Sequence, residues 1–311
     1  MSRPDTELLS TQSGGTQPAA TLLGTTKGRM ARLTAAPYLF ILPLTVFVAL
    51  LFIYPLVQMI LSTLIITDPT TGALTFSTQP FELFFVGGRG YELIWRTVRI
   101  AITTTVLTFL LAYPVTLWIR ESGPRLRGVL IVLVLSPMLT SDVVRTLGWI
   151  TILGPNGLIA GLFTILHLPV PRLLYTEGAI EVGLTQIFIG YMVLSLLSSV
   201  LRIPDDVISA AANLGASRWQ TLFRIVLPMS VPGIVGGCAI VFPLAASTYV
   251  TASLLGGTSN PVLGTELYRQ ALTNVDFGAA SAVGLILFAI ILVVVILIGI
   301  IARISNRRQL A

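Results

Sequence analysis

The stretch RIPDDVISAAANLGASRWQTLFRIVLP, residues 202–228, decides how the chain is read. It predicts two short helices joined by Gly-Ala. Pro204 suits a first helical turn, Asp205 and Asp206 complement the helix dipole, and Gly215 is placed to close the first helix in a left-handed position. Val207, Ile208, Ala211 and Leu214 then fall on one face at helical spacing. Ser217 can cap the second helix, which carries Trp219, Leu222, Phe223 and Val226 on one side before Pro228 ends it. A connection between neighbouring helices has no need of two amphipathic helices. The stretch reads as a knob presented to something beyond the chain.

Working outward, apolar segments of spanning length flank it, Ile180–Leu201 before and Ser230–Leu254 after. Four more stand at Pro37–Leu64, Thr97–Ile119, Gly128–Leu153 and Ala280–Ala302, each near the ~20 residues that cross a bilayer. The expected fold is all-α and integral to the membrane, with six transmembrane helices. Composition agrees: of 311 residues 54% are hydrophobic and 10% charged, against roughly 25% charged in a soluble domain. In the third segment Asp142 and Arg145 each cost about 2.5–3.5 kcal/mol at mid-helix. Charge sorting nevertheless retains it. With six crossings, thirteen of the nineteen basic residues fall on one side, whereas five would export Arg202, Arg218 and Arg224. Both termini are therefore expected in the cytoplasm, and the net charge of +6 belongs to cytoplasmic loops rather than to a nucleic-acid surface.

The expected organisation is a disordered cytoplasmic tail over 1–34, a first transmembrane helix with its external loop over 35–92, a core over 93–303 containing the loop 203–228, and a cytoplasmic tail over 304–311. A cleaved signal peptide is not expected, because the first apolar run starts late and is long. Pro43, Pro55, Pro114, Pro137, Pro232 and Pro243 fall inside the apolar segments; as a set they favour a bundle that packs around a pathway and moves.

Several chemistries are disfavoured. One cysteine, Cys238, and one histidine, His167, leave no disulfide framework, multi-cysteine metal site or histidine cluster, and both read as packing residues. The single lysine, Lys27, is followed by Gly28 and has no glycine-rich phosphate loop before it. No catalytic residue, metal or cofactor is expected.

The run Ser209-Ala210-Ala211, three residues, Gly215, nine residues, then Ile225-x-Leu227-Pro228 resembles the cytoplasmic signature loop of permease subunits of ATP-binding-cassette importers, whose pattern begins Glu-Ala-Ala. Every position fits except the first, where Ser209 stands for the glutamate. The resemblance spans about residues 35–303. It implies a type I importer (MetI-like) bundle with a coupling helix that sits in a cleft of a separate ATPase subunit. The carried-over coupling residues are Pro204, Asp205, Asp206, Ser209, Ala210, Ala211, Leu214, Gly215, Ala216, Ser217 and Arg218. Implied partners are a second permease subunit in a heterodimer, two ATP-binding subunits, a solute-binding protein and the lipid of a bacterial inner membrane. Val144–Trp149, Leu153–Gly157 and Leu254–Gly257 resemble the spermidine/putrescine-like branch.

Candidate pathway residues are Asp142 and Arg145, at i and i+3, with Trp149 one turn on, and Tyr249, Glu266, Tyr268 and Asp276. Asp142 and Arg145 are expected to face the bundle interior, and Trp149 to anchor at the external interface. Carboxylates and aromatic faces both attract ammonium groups. A self-sufficient secondary transporter or channel is the competing reading; it predicts paired repeats and discontinuous helices, neither evident in the sequence.

Overall fold

Long apolar runs punctuated by proline and glycine give helices separated by short breaks. The computed structural model describes residues 26–67 and 74–307. Residues up to Val57 form one unit and those from Gln58 onward another. α1 (Thr26–Leu64) supplies the described part of the first unit and enters the second. It begins inside the stretch expected as a tail; residues 1–25 of that stretch, and 308–311 at the other end, lie outside the described residues. β1 (Ile65–Thr67) and β2 (Leu74–Phe76) pair antiparallel, Ile65 opposite Phe76.

The remaining elements are α2 (Gln79–Phe85), α3 (Arg89–Glu121), α4 (Pro124–Leu135), α5 (Asp142–Leu153), α6 (Leu158–Ile165), α7 (Glu177–Val200), α8 (Asp205–Asn213), α9 (Arg218–Thr221), α10 (Leu227–Met229), α11 (Val231–Ala246), α12 (Val250–Gly256), α13 (Leu263–Tyr268) and α14 (Phe277–Arg307). By length and composition, five helical stretches among the described residues can cross a membrane, or six if the bent pair Arg218–Met229 and Val231–Ala246 is one span.

α3, α7 and α11 pack on one another around Ile100, Ile119, Met192, Leu196, Val241 and Phe242, and α14 packs on α11. Small residues set the α7–α11 contact. A Cβ on Gly233 would lie 2.8 Å from the Ser195 carbonyl oxygen, and one on Gly237 would lie 2.3 Å from the Met192 sulfur. Glycines four apart let helix backbones approach closely in a bilayer, where packing rather than water drives association. Ser195 Oγ also donates to the Gly233 carbonyl at 2.9 Å. Half-buried Cys238 lies against this core, as expected of a helix-contact residue.

The third apolar segment is not one helix. α4 ends at Leu135, a 3-10 turn covers Ser136–Leu139, and α5 starts at Asp142. Pro137 and the extended Thr140 interrupt the ladder, and the Arg145 guanidinium donates to the carbonyls of Pro137 at 2.8 Å and Thr140 at 3.2 Å. The charge expected to burden a continuous helix instead satisfies the break. At ~1.5 Å per residue the twelve residues of α4 cover about 18 Å, short of a ~30 Å hydrocarbon core, and the span-length stretch here is Asp142–Ile165.

The fifth segment also departs from a single helix. Pro228 does not end the second helix of the hairpin: a π-helical turn over Leu222–Val226 leads into α10, and the chain bends by 63° at Ser230 before α11. Buried Ser230 shares a hydrogen bond with Tyr113 of α3 at 3.2 Å, which pins the bend. α11 stops at Ala246, and α12 begins after a turn at 247–249. Of the prolines, Pro114 and Pro243 lie within helices, Pro43 and Pro55 within α1, Pro232 in the first turn of α11, and Pro137 in the 3-10 turn. His167 is no packing residue: it is exposed, with φ of 54° where α6 terminates.

Candidate functional site

The hairpin forms at the end of α7. Pro204 stands just before the first turn of α8 as its N-cap, and Asp205 and Asp206 occupy that turn. α8 ends in a Schellman motif: Gly215, φ +81°, donates to the Ala212 carbonyl at 2.9 Å, and Ala216 donates to that of Ala211 at 3.0 Å. The Leu214 amide donates to the Ala210 carbonyl at 3.1 Å. Two residues later a capping box opens α9: the Gln220 amide donates to Ser217 Oγ at 3.3 Å, and the Ser217 amide to Gln220 Oε1 at 2.9 Å. Termination and restart are thus both satisfied within six residues, and the turn keeps one shape.

Ala211 is buried beneath the turn while Ser209, Ala210, Asp206 and Arg218 are exposed. The apolar face divides. Val226 is buried and Leu222 half-buried, but Leu214 is 88% exposed, Trp219 69% and Phe223 58%, with the last two rings stacked at 5.9 Å between centroids. The turn thus holds large apolar side chains out of the fold.

One arginine fastens the hairpin to the bundle, and a second closes the end of the helix that carries it. Arg120, at the end of α3, donates to the Ile203 carbonyl at 2.8 Å and to Asp205 Oδ1 at 2.9 Å. Arg127 of α4 donates to the carbonyls of Ile119 at 3.2 Å and Arg120 at 2.8 Å, closing the C-terminal end of α3. Sequence reasoning missed both. Arg120 was legible only as a basic residue near the end of a span, since its partners lie more than 80 residues away.

The candidate pathway residues do not form one site. Asp142 pairs with Arg145; Arg145 is buried, but Asp142 is exposed on the wall of a cleft shared with Tyr249. Trp149 is not simply an interfacial anchor, since its Nε1 donates to Gln186 Oε1 of α7 at 2.8 Å. Tyr249 stacks on Tyr268 at 3.9 Å and 17°. Glu266 and Asp276 line a separate cleft of about 730 Å³ with Arg89 and Arg269. Glu266 accepts from Arg269 Nε at 2.9 Å and from Gln270 at 2.7 Å. Burial raises its pKa, but these bonds and the charges of Arg269 and Arg89 outweigh burial and hold it below its ordinary value. Asp276 Oδ1 accepts from the Ala279 amide at 2.9 Å, capping α14. Among the described residues, no group of three or more His, Cys, Asp and Glu is placed to hold a metal.

A bundle of apolar helices of spanning length, with a hairpin that carries exposed aromatic side chains, defines an integral membrane protein. The chain belongs to the family of binding-protein-dependent transport system inner membrane components, whose sequence model matches residues 102–310. Members are ABC transporter permease components, non-catalytic transmembrane subunits. The chain is 30% identical over 209 residues to the spermidine/putrescine transport system permease protein PotB of Haemophilus influenzae, covering 66% of this chain and 73% of that one. It is 29% identical over 200 residues to PotB of Escherichia coli K12, covering 63% and 72%. The fold resembles a chain of a bacterial ABC transporter that imports the acidic polysaccharide alginate, with TM-score 0.68, 20% identity, and coverage of 89% and 98%.

Proposed function

We propose that this chain forms one half of the translocation pathway of an importer for a small cationic solute of the polyamine class. A solute-binding protein delivers the solute, and ATP hydrolysis on two separate subunits drives the cycle. The assignment of an ATPase-coupling role to 204–218 rests on one observation above all: a turn fixed by a Schellman motif and a capping box holds Leu214, Trp219 and Phe223 outside the fold. The likeness to the PotB proteins supports the polyamine class.

In this reading the chain pairs with a second, non-identical permease, crosses the inner membrane six times and keeps both termini in the cytoplasm. ATP binding closes the ATPase pair and draws the coupling helices together. Arg120 carries that movement from α8 to α3, the bundle opens outward to accept solute, and hydrolysis resets it. Ser209 offers a hydroxyl where the family pattern has a carboxylate, and Asp206, exposed one turn earlier, supplies the nearest negative charge with no salt bridge among the described residues. Deleting residues 205–217 tests the reading. Membrane insertion should persist while solute uptake and solute-stimulated ATP hydrolysis vanish; uptake that survives the deletion overturns it.

A further inference from the structure

Between α5, α7, α11 and α12 lies a cleft of about 280 Å³. That is near the lower end of the ~300–1,000 Å³ usual for small-molecule pockets, which excludes a large cargo from fitting whole. Its wall carries the rings of Phe188, Tyr191 and Tyr249, the hydroxyls of Ser247 and Thr251, and a single charged residue, Asp142.

The packing behind the wall holds it in shape. Arg145 pairs with Asp142 through Nη2 from the buried side and donates from Nη1 to the Pro137 and Thr140 carbonyls, while its Nε is buried without a partner among the described residues; the carboxylate is oriented and the guanidinium stays off the lining. Thr146 and Thr251 approach within 3.5 Å and join α5 to α12. A Cβ on Gly183 would lie 2.6 Å from Leu255 and 3.1 Å from Thr251, so α12 rests directly on α7. Tyr249 is backed by the stacked ring of Tyr268.

We infer that this cleft is a binding subsite for an alkylammonium group, with the free Asp142 oxygen accepting its N–H bonds and the aromatic faces of Phe188, Tyr191 and Tyr249 receiving its charge and adjoining methylenes. This rests on the importer reading for its place in a transport path, although the chemistry is local. Anions are disfavoured, because the one charge on the wall is negative and the Arg145 guanidinium does not line the cleft. Carboxylate and aromatic face together discriminate an ammonium from a neutral alcohol of the same length, for which the cation–π attraction is absent.

The test uses the full chain in nanodiscs of phosphatidylglycerol alone, with radiolabelled putrescine as probe and 1,4-butanediol and sulfate as competitors. Putrescine should bind and neither competitor displace it. Asp142→Asn should weaken binding at least tenfold, Asp142→Glu should recover part of the loss, and Tyr249→Ala, which leaves the Asp142–Arg145 pair intact, should weaken it two- to fivefold. Putrescine binding with wild-type affinity in both Asp142→Asn and Tyr249→Ala, or displacement by sulfate, overturns the subsite. An ethanolamine lipid headgroup carries the same ammonium, so an Asp142-dependent signal that requires phosphatidylethanolamine would overturn the assignment to a free amine. Uptake by the assembled transporter separates the two proposals. Diamine import with unchanged KM in both variants sinks the subsite alone, whereas absence of diamine import by the wild type sinks the polyamine cargo.

Discussion

Arg120 and Asp205, 85 residues apart in sequence, meet at 2.9 Å where α3 ends and the hairpin begins. The same guanidinium holds the Ile203 carbonyl at 2.8 Å. The two bonds are unequal in worth. Asp205's side chain is 95% exposed, so the ion pair falls in the ~0.2–1 kcal/mol range of surface pairs. The bond from a nearly buried guanidinium to a main-chain carbonyl is worth about 1.5–3 kcal/mol. Arg120→Ala should therefore lower thermal stability clearly more than Asp205→Asn, and solute-stimulated ATP hydrolysis should fall in the arginine variant first. Equal effects on unfolding temperature would show that the carboxylate, not the carbonyl, is the anchor.

Gly215 offers a cleaner backbone test. Nothing lies within 4 Å of a Cβ built there, so a substitution meets no steric obstacle and reports the left-handed conformation alone. Gly215→Ala should cost about 1–2 kcal/mol and Gly215→Asn less, since asparagine tolerates this region better. Hydrogen exchange at the amides of Gly215 and Ala216 should quicken in that order while the α7 amides stay protected.

That position also shows what was legible in the sequence. Gly215 as a left-handed terminator and Ser217 as a cap are local devices, written within three or four residues of the groups they serve, and both stand as read. Span counting assumes unbroken ladders, so by sequence Asp142 and Arg145 burden a continuous helix. Their actual service, closing a break at Pro137 and Thr140, requires knowing that the break exists. The exposure of Trp219 and Phe223 was hidden because helical spacing gives a face but not what covers it. Asp276 caps α14 three residues before the amide it accepts from, a local role that the spacing carries and that a reading of carboxylates as cargo charges passes over.

Within the bundle, two glycines four residues apart should respond differently to the same added methyl. At Gly237 the obstacle is the sulfur of Met192, a flexible side chain that can move aside. At Gly233 it is the carbonyl oxygen of Ser195 and the Ser199 side chain, and the carbonyl yields only if α7 shifts. Gly233→Ala should cost about 1–3 kcal/mol, as overpacking does, and Gly237→Ala should cost less. Unfolding temperatures of the two variants in detergent check the order.

Glu266 predicts a pH dependence outside the membrane spans. Its carboxyl is held below the ordinary value of 4.5 despite burial, because Arg269 and Gln270 hydrogen-bond to the charged form. A lowered folded-state pKa means that the stabilisation is fully present above the unfolded value and is lost as pH falls through the folded one. Stability should therefore decline below pH 4.5, and Glu266→Gln should flatten that decline while lowering stability at neutral pH. Thermal unfolding across that range, with Asp206→Asn, an exposed carboxylate without a salt bridge among the described residues, as the control, measures it; an unaltered acid limb in Glu266→Gln counts against the charge-assisted pair.

Trp219 and Phe223 separate folding from coupling. Both are mostly exposed and stacked chiefly on each other, so truncating either removes little from the core and should change stability by no more than about 0.5 kcal/mol. Interfaces, by contrast, concentrate their energy in a few large aromatic anchors, each worth ~2 kcal/mol or more when truncated. If these rings seat in the ATPase subunit, Trp219→Ala and Phe223→Ala should leave the unfolding temperature of the isolated chain nearly unchanged. Subunit affinity should fall about thirtyfold, as 2 kcal/mol requires, and uptake should be lost in proportion. The double variant should lose less than the sum of the singles, because removing one ring already leaves the other without its stacking partner. A large loss of stability with intact subunit affinity would place the rings in the fold and move the docking surface elsewhere.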